Sequence, residues 1–502
     1  MTNPLYDMLF APLGHADRPL LHLADGRQIG AADFAALVSR LGNGLRAAGV
    51  LPGDRVAVQV AKSPEALALY GATVGVGAVF LPLNTAYTAA EVDYFVGNAK
   101  PRLFVCDPKA AAALTPICAG HGADILCLAA DGSGSLADLA EGQEAAFQPT
   151  ARRGQDLAAI LYTSGTTGRS KGAMLSHDNL MSNAQVLARL WQFTDRDVLL
   201  HALPIYHTHG LFVASNVSLL TGGQMIFLPG FDADQVLSLL PRATAMMGVP
   251  TFYTRLLDDP RLTRDLTGHM RLFISGSAPL LSETHIAFEA RTGQRILERY
   301  GMTETNMTLS NPYDGPRKAG TVGLPLPGVE VRIMAEGAEV ADGQIGVIEV
   351  RGPNVFQGYW QMPDKTAEDL RPDGWFITGD LACRDADGYV TIVGRTKDLI
   401  ITGGFNVYPK EVEDLLDIQP GVLESAVIGL PHPDFGEAVF AVLARHKGAE
   451  PDLDALRLAV TQSLAKFKHP KGYAVLDSLP RNAMGKVQKA ELRKTFADRF
   501  QA

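Results

Sequence analysis

The sequence predicts an α/β fold that ends in a separate, smaller α+β unit. Short apolar, β-branched runs alternate with helical segments over most of the chain, which is typical of α/β architecture. The chain has 502 residues, and single cores stop growing at about 250–300 residues, so we expect two to four subdomains. With 47% hydrophobic and 20% charged residues, the composition is that of a soluble globular protein.

The elements of the N-terminal part follow from this alternation. The predicted strands are 55–60, 78–81, 103–106, 157–162, 272–275 and 347–350. The predicted helices are 31–48, 64–74, 179–191, 234–240 and 282–290. Between 329 and 350 the pattern changes to short strands with Gly and Asp turns, which predicts a β-rich subdomain there.

The last hundred residues have a pattern of their own. The segment 394–398 joins them to the body of the chain. The predicted elements beyond it are a helix at 409–416, strands at 422–429 and 438–445, and a helix at 453–467. We therefore predict two domains, 1–394 and 395–502.

Charge and cysteine content narrow the class of protein. The formal net charge is −9, which argues against a bulk nucleic-acid binder but not against local nucleotide binding. None of the four cysteines lies in a C-x-x-C pair, so a reducing compartment fits best. The first residues carry no basic region and no long apolar stretch, which argues against a signal peptide. We expect a cytoplasmic protein.

One apolar stretch reaches the length of a membrane span. Residues 66–83 are uncharged, but they contain Gly71, Gly75, Gly77 and Pro82. These residues favour a buried helix to about residue 74, a turn and a short strand. We therefore expect no membrane partner.

A loop of small residues after the strand at 157–162 is the strongest local signal. Glycines let backbone N–H groups approach an anion, hydroxyls add donors, and a lysine adds a point charge. The predicted phosphate loop contains Thr163, Ser164, Gly165, Thr166, Thr167, Gly168 and Lys171. A Walker A sequence, G-x-x-x-x-G-K-[ST], occurs nowhere in the chain. The alternative is a polar hairpin turn.

A second glycine-rich segment fits a dinucleotide fingerprint less well. Residues 131–137 match G-x-G-x-x-A after a strand predicted at 125–130. A dinucleotide fold needs a further strand that ends in an acidic residue about 20 positions on, and the segment 142–149 does not have a strand pattern. We therefore reject this interpretation.

Five ordered motifs resemble those of the acyl-adenylate-forming superfamily, which includes acyl-CoA synthetases, adenylation domains and luciferases. They are the phosphate loop at 162–174, Y-G-x-T-E at 300–304, the second nucleotide motif at 375–380, the hinge at 394–398 and the catalytic-lysine motif at 480–486. They occur in the family's order and cover most of the chain. The resemblance implies a large N-terminal domain of packed sheets and helices with a mobile C-terminal domain.

The resemblance also implies the chemistry. An acid attacks the α-phosphate of ATP, forms an acyl-AMP and expels diphosphate, and the charge at the phosphoryl group must be neutralised. By family analogy, Lys486 supplies that charge, Glu304 binds Mg²⁺ and Thr303 contacts phosphate. One carboxylate is enough, since Mg²⁺ commonly takes one or two together with phosphate oxygens.

The same resemblance assigns the rest of the nucleotide site. Asp380 is expected to accept hydrogen bonds from the ribose hydroxyls, and Arg395 to lie near the same sugar. The expected adenine-side loop and the remaining ATP-binding positions are Gly276, Ser277, Ala278, Tyr300, Gly301 and Met302.

Three histidines fall within nine residues, at 201, 207 and 209. If this segment were a strand, His207 and His209 would share a face, as a zinc pair might. No acidic or cysteine partner with ligand spacing follows. In the family, a residue at the position of His207 borders the acyl pocket and the thiol channel, so His207 is a candidate site residue. The alternative is a neutral histidine packed in the core.

Two basic residues bear on the identity of the acid. Arg299 stands immediately before Tyr300, where many relatives have a small residue, and Arg255 ends the segment 248–255. These segments and 203–216 resemble malonyl-CoA synthetases. A guanidinium beside the acyl pocket would bind a second carboxylate well. The alternative is a structural ion pair of Arg299 with Glu298 or Glu304.

The expected thiol acceptor is coenzyme A. Gly403, Gly404 and Phe405 resemble the loop that lines the pantetheine channel after the C-terminal domain rotates about Lys397. We therefore expect the substrates malonate (or methylmalonate), ATP and CoA, with Mg²⁺. The alternatives are a synthetase for short monocarboxylates or other acids, an adenylating enzyme that loads a carrier protein, and a nucleotide sensor without turnover.

Overall fold

The structure is a computed structural model that describes residues 2–163, 170–482 and 485–500. Helices and strands alternate along the chain. The helices are α1 (Pro4–Leu9), α2 (Ala31–Ala47), α3 (Pro64–Gly75), α4 (Ala89–Ala99), α5 (Pro108–Gly120), α6 (Ser135–Glu141), α7 (His177–Leu190), α8 (Asn216–Thr221), α9 (Ala233–Leu239), α10 (Pro250–Leu257), α11 (Arg264–Thr267), α12 (Ser282–Thr292), α13 (Pro363–Asp369), α14 (Pro409–Asp417), α15 (Leu453–Ser463) and α16 (Lys489–Thr495).

The strands of the first two sheets precede residue 326. They are β1 (Pro19–Leu23), β2 (Gln28–Gly30), β3 (Arg55–Gln59), β4 (Val79–Pro82), β5 (Leu103–Cys106), β6 (Asp124–Cys127), β7 (Leu157–Thr163), β8 (Lys171–Ser176), β9 (Val198–His201), β10 (Gln224–Phe227), β11 (Ala245–Gly248), β12 (Leu272–Ser275), β13 (Ile296–Met302), β14 (Asn306–Ser310) and β15 (Leu324–Pro325).

Later strands form the β-rich subdomain and the C-terminal unit. They are β16 (Glu330–Ala335), β17 (Ala338–Glu339), β18 (Gly346–Arg351), β19 (Phe376–Arg384), β20 (Val390–Arg395), β21 (Ile400–Thr402), β22 (Phe405–Val407), β23 (Val422–His432), β24 (Gly436–Arg445) and β25 (Gly472–Leu476).

The described strands pair into separate sheets. One sheet has the order β6-β5-β3-β4-β7-β8, and a second has the order β15-β14-β13-β12-β11-β9-β10-β1-β2. Central strands such as β11 and β12 are parallel and buried along their whole length, as expected for strands covered on both faces. The β-rich subdomain has the order β17-β16-β18-β19-β20, and the C-terminal unit pairs β22-β21-β24-β23 with β25 beside β24.

Most of the predicted elements are confirmed. The helix predicted at 64–74 is α3, which begins at Pro64 after the N-cap Ser63 and ends at Gly75, where the chain turns into β4. None of the helices in the described ranges combines the length and apolar character needed to cross a membrane. The β-rich subdomain predicted at 329–350 corresponds to β16–β18.

The structure corrects the end of one predicted helix and shows what the glycine-rich segment 131–137 forms. The helix predicted at 453–467 ends at Ser463, because Leu464 adopts an extended conformation and residues 466–468 form a separate 3₁₀ turn. In the segment 131–137, Gly132 and Gly134 have positive φ, and the short helix α6 follows directly. After α6 the next strand is β7, which begins only at Leu157. The strand that a dinucleotide-binding unit needs shortly after its helix is therefore missing from this described stretch.

Candidate active site

The site begins where parallel strands of the larger sheet end. Strands β9, β11, β12 and β13 run side by side, and their carboxyl ends meet at one edge. The histidine segment follows β9, residues 276–278 follow β12, and Arg299 to Met302 form the last part of β13. The sheet therefore gathers residues that are as much as 101 positions apart in sequence.

Arg299 is the most unusual group at this edge. The residue is only 2% exposed, and its Nε and Nη2 atoms are buried with no hydrogen-bond partner. Burial lowers the pKa of the guanidinium to about 9, while Tyr253 and Glu298 oppose that shift. Among the described residues no carboxylate forms an ion pair with Arg299, so the alternative of a structural salt bridge to Glu298 or Glu304 is wrong. A buried cation with unused donors is costly unless an anion arrives.

Gly276 makes room for this guanidinium. A Cβ atom built on Gly276 would lie 2.5 Å from Cζ and Nη1 of Arg299, closer than real atoms approach. The next residue, Ser277, has a φ of 73°, an uncommon conformation for a residue with a side chain. Its hydroxyl lies 3.2 Å from Nδ1 of His209. The loop 276–278 therefore packs against both Arg299 and the histidine segment.

The three histidines do not share a strand face. Strand β9 ends at His201, His207 lies in a turn, and His209 begins a π-helix that runs to Ser215. Across the described ranges, no three His, Cys, Asp or Glu side chains gather so as to hold a metal, and the zinc interpretation has no support. Burial, followed by the charges of Lys486 and Arg299, lowers the pKa of His207 to about 3, so this ring is neutral.

Two partners hold Asp380, the residue predicted to bind the ribose. Asp380 is 2% exposed, and its Oδ2 accepts a 2.5 Å hydrogen bond from the hydroxyl of Tyr300. Its Oδ1 lies 2.7 Å from Nε of Arg395, the residue opposite it across the β19–β20 ladder. The structure thus brings together three predicted nucleotide residues from three different motifs.

Glu304 belongs to a second polar cluster. It is 5% exposed, and burial raises the pKa of its carboxyl while the charge of Lys171 opposes this. The hydroxyl of Tyr359 lies 3.1 Å from Oε1 of Glu304 and 3.2 Å from Oδ2 of Asp369. Lys171 Nζ lies 3.4 Å from the same Asp369 oxygen and 4.1 Å from the centre of the Tyr359 ring. Thr303, half-buried, is in the turn beside Glu304.

Lys486 reaches this region from the C-terminal unit. The residue is accessible to solvent, yet protein atoms surround its ammonium group, and this desolvation lowers the pKa to about 8. Arg395 lowers the pKa further, while the negative charges of Asp380 and Glu304 raise it. A Cβ on the preceding Gly485 would be 3.5 Å from Oγ1 of Thr251 on α10. Gly485, the residue before Lys486, therefore lies directly beside the N-terminal part of the chain.

Hydrogen bonds and ion pairs hold the described residues on either side of Lys486 and Lys486 itself. The backbone N–H of Lys486 donates a 3.0 Å hydrogen bond to the side chain of Asn482. Arg481 pairs with Glu424 and donates to the carbonyl of Gly485. Just beyond the loop, Lys489 forms a 2.6 Å ion pair with Glu413. The position of Lys486 is therefore tied to the framework of the C-terminal sheet.

Some predicted residues lie elsewhere. Arg255 is on α10 two positions after the buried Tyr253, so it points to the opposite face of the helix and is exposed; the structure does not bring it to Arg299. Gly403 and Gly404 form the turn of the β21–β22 hairpin, both with positive φ. Phe405 is 56% exposed and stacks on Phe467 of the same domain.

The phosphate loop and Lys397 are the remaining predicted groups. The positions Ser164, Gly165, Thr166, Thr167 and Gly168 of the phosphate loop lie outside the described residues. Their neighbours Thr163 and Lys171 are paired across the β7–β8 ladder. Lys397 lies in a 3₁₀ turn directly after β20, and burial lowers its pKa to about 8, with Arg395 as the second cause.

Two residues of the site escaped the sequence analysis. Tyr359 lies in the loop before the short helix α13, and Asp369 is the last residue of that helix. Neither residue belongs to a recognisable motif. An isolated bridge between Ala173 of β8 and Tyr359 places this segment beside β8, and so beside Lys171. Sequence alone offered no signal for this contact.

Comparison with known families agrees with the fold. Residues 11–360 match the AMP-binding enzyme family, and residues 411–486 match the AMP-binding enzyme C-terminal domain. The chain therefore belongs to the AMP-binding enzyme family, and the resemblance inferred from its five motifs is confirmed.

Individual relatives are similar over nearly the whole chain. The crystal structure of ATP-bound MatB from Rhodopseudomonas palustris shares 58% identity over 100% of both chains, with a TM-score of 0.98. The apo structure of that protein has a TM-score of 0.86. A malonate–CoA ligase of Arabidopsis thaliana is 34% identical over 89% of this chain and 79% of the relative. The fold is thus that of the acyl-CoA synthetases, in an arrangement nearer to the ATP-bound structure.

Proposed function

We propose that this enzyme activates malonate with ATP and transfers the malonyl group to coenzyme A, giving malonyl-CoA, AMP and diphosphate. The observation that carries the proposal is the buried guanidinium of Arg299. It lies at the carboxyl edge of the larger sheet, and its Nε and Nη2 atoms have no hydrogen-bond partner. The 58% identity to MatB over the full length and the similarity to malonate–CoA ligases support the same reaction.

The distal carboxylate of malonate suits Arg299 because a planar guanidinium can donate two parallel hydrogen bonds to a carboxylate. A monocarboxylate with an apolar tail would leave these donors unpaired in a buried site, which costs binding energy. Arg299 thus favours a dianion over acetate or butyrate. Arg255, which is exposed, has no part in this proposal.

In the first half-reaction, the proximal carboxylate oxygen attacks the α-phosphorus of ATP, an O–P bond forms, and the bond to diphosphate breaks. We assign charge neutralisation at the phosphoryl group to Lys486, whose ammonium is close enough to interact with Glu304 and Asp380. Asp380, fixed by Tyr300 and Arg395, would accept from the ribose hydroxyls. Thr303 and the loop at 163–171 would contact phosphates, and residues 276–278 would lie beside adenine.

The residues around Glu304 fit a divalent cation. The single proton of the Tyr359 hydroxyl faces two carboxylate oxygens, on Glu304 and Asp369, so the cluster has an excess of acceptors. Oxygen ligands of this kind are those that Mg²⁺ prefers. Glu304 would hold Mg²⁺, which when bound offsets the charge of the phosphates.

In the second half-reaction, the CoA sulfur attacks the acyl carbon, the C–S bond forms, AMP leaves, and the thiol proton is lost. We propose domain boundaries of 1–394 and 395–502, with Lys397 in the turn about which the second domain rotates. Gly403, Gly404 and Phe405 are far less enclosed than the Arg299 site, as expected for a loop that would line the CoA channel only after rotation. His207, which is neutral and lies within the electrostatic influence of Arg299, would line the acyl end of that channel.

A substrate panel tests the proposal. Diphosphate release and thioester formation are measured with malonate, methylmalonate, sulfoacetate, acetate and butyrate, with CoA or a carrier protein as acceptor. The expected result is CoA-dependent turnover of the dianions, with malonate best. Preference for a monocarboxylate would contradict the malonate assignment, acylation of the carrier alone would favour a carrier-loading enzyme, and no diphosphate would favour a nucleotide sensor.

We also propose a cytoplasmic setting. All four cysteines are free thiols, which fits a reducing compartment.

A further inference from the structure

The phosphate-loop lysine is held on a carboxylate that no motif of the sequence contains. Nζ of Lys171 lies 3.4 Å from Oδ2 of Asp369 and 4.1 Å from the centre of the Tyr359 ring. Both charged side chains are mostly buried, with 23% and 21% of their surfaces exposed. At 3.4 Å this contact is longer than a strong charge-assisted hydrogen bond, so little has to be broken to release the lysine.

Asp369 keeps other partners when Lys171 leaves. Its Oδ1 lies 2.9 Å from Nζ of Lys365, and its Oδ2 lies 3.2 Å from the Tyr359 hydroxyl. The carboxylate would therefore not be left unpaired by the loss of one cation. This arrangement is suited to an ion pair that opens and closes.

The positive charge of Lys171 also stabilises the ionised form of Glu304, the carboxylate on the other side of Tyr359. The Tyr359 hydroxyl can donate its proton to Glu304 or to Asp369 but not to both at once. The charge of Lys171 acts on Glu304 as well, where it opposes the rise in the carboxyl's pKa that burial causes. When Lys171 moves to a phosphate, both carboxylates lose part of their compensation.

We propose that Asp369 is a positioning residue that pairs with Lys171 and competes for it with the phosphates of ATP. The inference rests on the proposed binding of ATP at the phosphate loop and adds a residue that tunes it. A triphosphate that arrives without a divalent cation takes Lys171 away and leaves Glu304 and Asp369 facing new negative charge. The Lys171–Asp369 pair therefore weakens the binding of bare ATP.

Calorimetry of the full chain with α,β-methylene-ATP in EDTA tests this proposal, since the analogue cannot be cleaved where the reaction cleaves ATP. Asp369→Asn keeps the shape and an acceptor for Tyr359 but removes the competing charge. We expect about 3- to 5-fold tighter binding, the upper part of the range for loss of one partly exposed ion pair. Equal or weaker binding by this variant overturns the proposal.

Glu368→Gln is the matched control. Glu368 is the preceding residue, 65% of its side chain is exposed, and it lies 2.7 Å from the same Lys365, but no contact links it to Lys171. It removes the same formal charge from the same helix, so general electrostatics affect both variants. We expect its affinity to stay within about twofold of the native protein; a gain equal to that of Asp369→Asn overturns the proposal.

A double-mutant cycle isolates the pair. In a Lys171→Met background, Asp369→Asn should tighten binding less than in the native protein, because there is no lysine to release and only the direct repulsion between Asp369 and the phosphates remains. Persistence of the full gain overturns the proposal. If the native protein binds no adenine nucleotide at all, the proposed function fails together with this inference, whereas native binding without an effect of Asp369→Asn removes the inference alone.

Discussion

The guanidinium of Arg299 occupies the space that a side chain on Gly276 would fill. A Cβ atom at position 276 would be 2.5 Å from both Cζ and Nη1 of Arg299. Gly276 follows β12 and Arg299 lies on the neighbouring β13, so the two backbones are fixed by adjacent parallel strands. The absence of a side chain on one strand is therefore what admits a buried cation from the other.

Gly276→Ala should displace Arg299 without removing it. Since a misplacement of about 1 Å at a reacting group can cost about 100-fold, we expect kcat/KM for malonate to fall about 10- to 100-fold. Steady-state kinetics with malonate measure this. Gly230→Ala is the control, because a Cβ there meets nothing within 4 Å; the idea fails if both substitutions leave malonate kinetics unchanged.

The pKa of Lys486 predicts a basic limb in the pH profile of adenylation. A lysine is charged below its pKa, and the pKa here is about 8 because of desolvation and the nearby Arg395. If the cation is required, kcat/KM for ATP should be constant below that pH and then fall about tenfold per unit as pH rises above it. Diphosphate release at saturating malonate gives the profile.

Lys486→Arg provides the check on this assignment. Arginine stays charged well above pH 8, so the limb should move to higher pH even if the maximal rate falls. A limb that stays near pH 8 in this variant would assign it to another group, such as Lys397.

Lys486→Ala should separate the two half-reactions. The charges of Arg395, Asp380 and Glu304 act on its ammonium, and Lys486 belongs to the C-terminal unit. Adenylation should fall about 100-fold or more, while conversion of supplied malonyl-AMP with CoA stays within about twofold. Loss of both half-reactions to the same degree would refute the assignment of Lys486 to adenylation alone.

Sequence predicted the parts of the site that depend on short motifs. Tyr300, Asp380 and Arg395 lie in three motifs, and the structure joins them by two short contacts. The pattern of basic residues did not predict that Arg255 lies on the exposed side of α10, two positions after the buried Tyr253.

Other features required the tertiary structure. Tyr359 and Asp369 are 55 and 65 residues from Glu304, and only packing beside β8 brings them together. The zinc interpretation of His207 and His209 assumed a strand, but the chain forms a turn and a π-helix there. The close approach of Gly276 to Arg299 depends on strand register, which a single sequence does not specify.

The most direct test of the malonate assignment is kcat/KM for malonate and butyrate with the native enzyme and Arg299→Ala. Charge-assisted hydrogen bonds contribute about 1.5–3 kcal/mol each, so malonate should lose roughly 10- to 1000-fold. Arg299→Lys should restore only part of this, because an ammonium lacks the planar fork. The proposal predicts that butyrate loses far less and that the ratio of the two substrates narrows. Equal losses for both acids would mean that Arg299 supports the fold or the nucleotide, and would contradict its role in selecting a dicarboxylate.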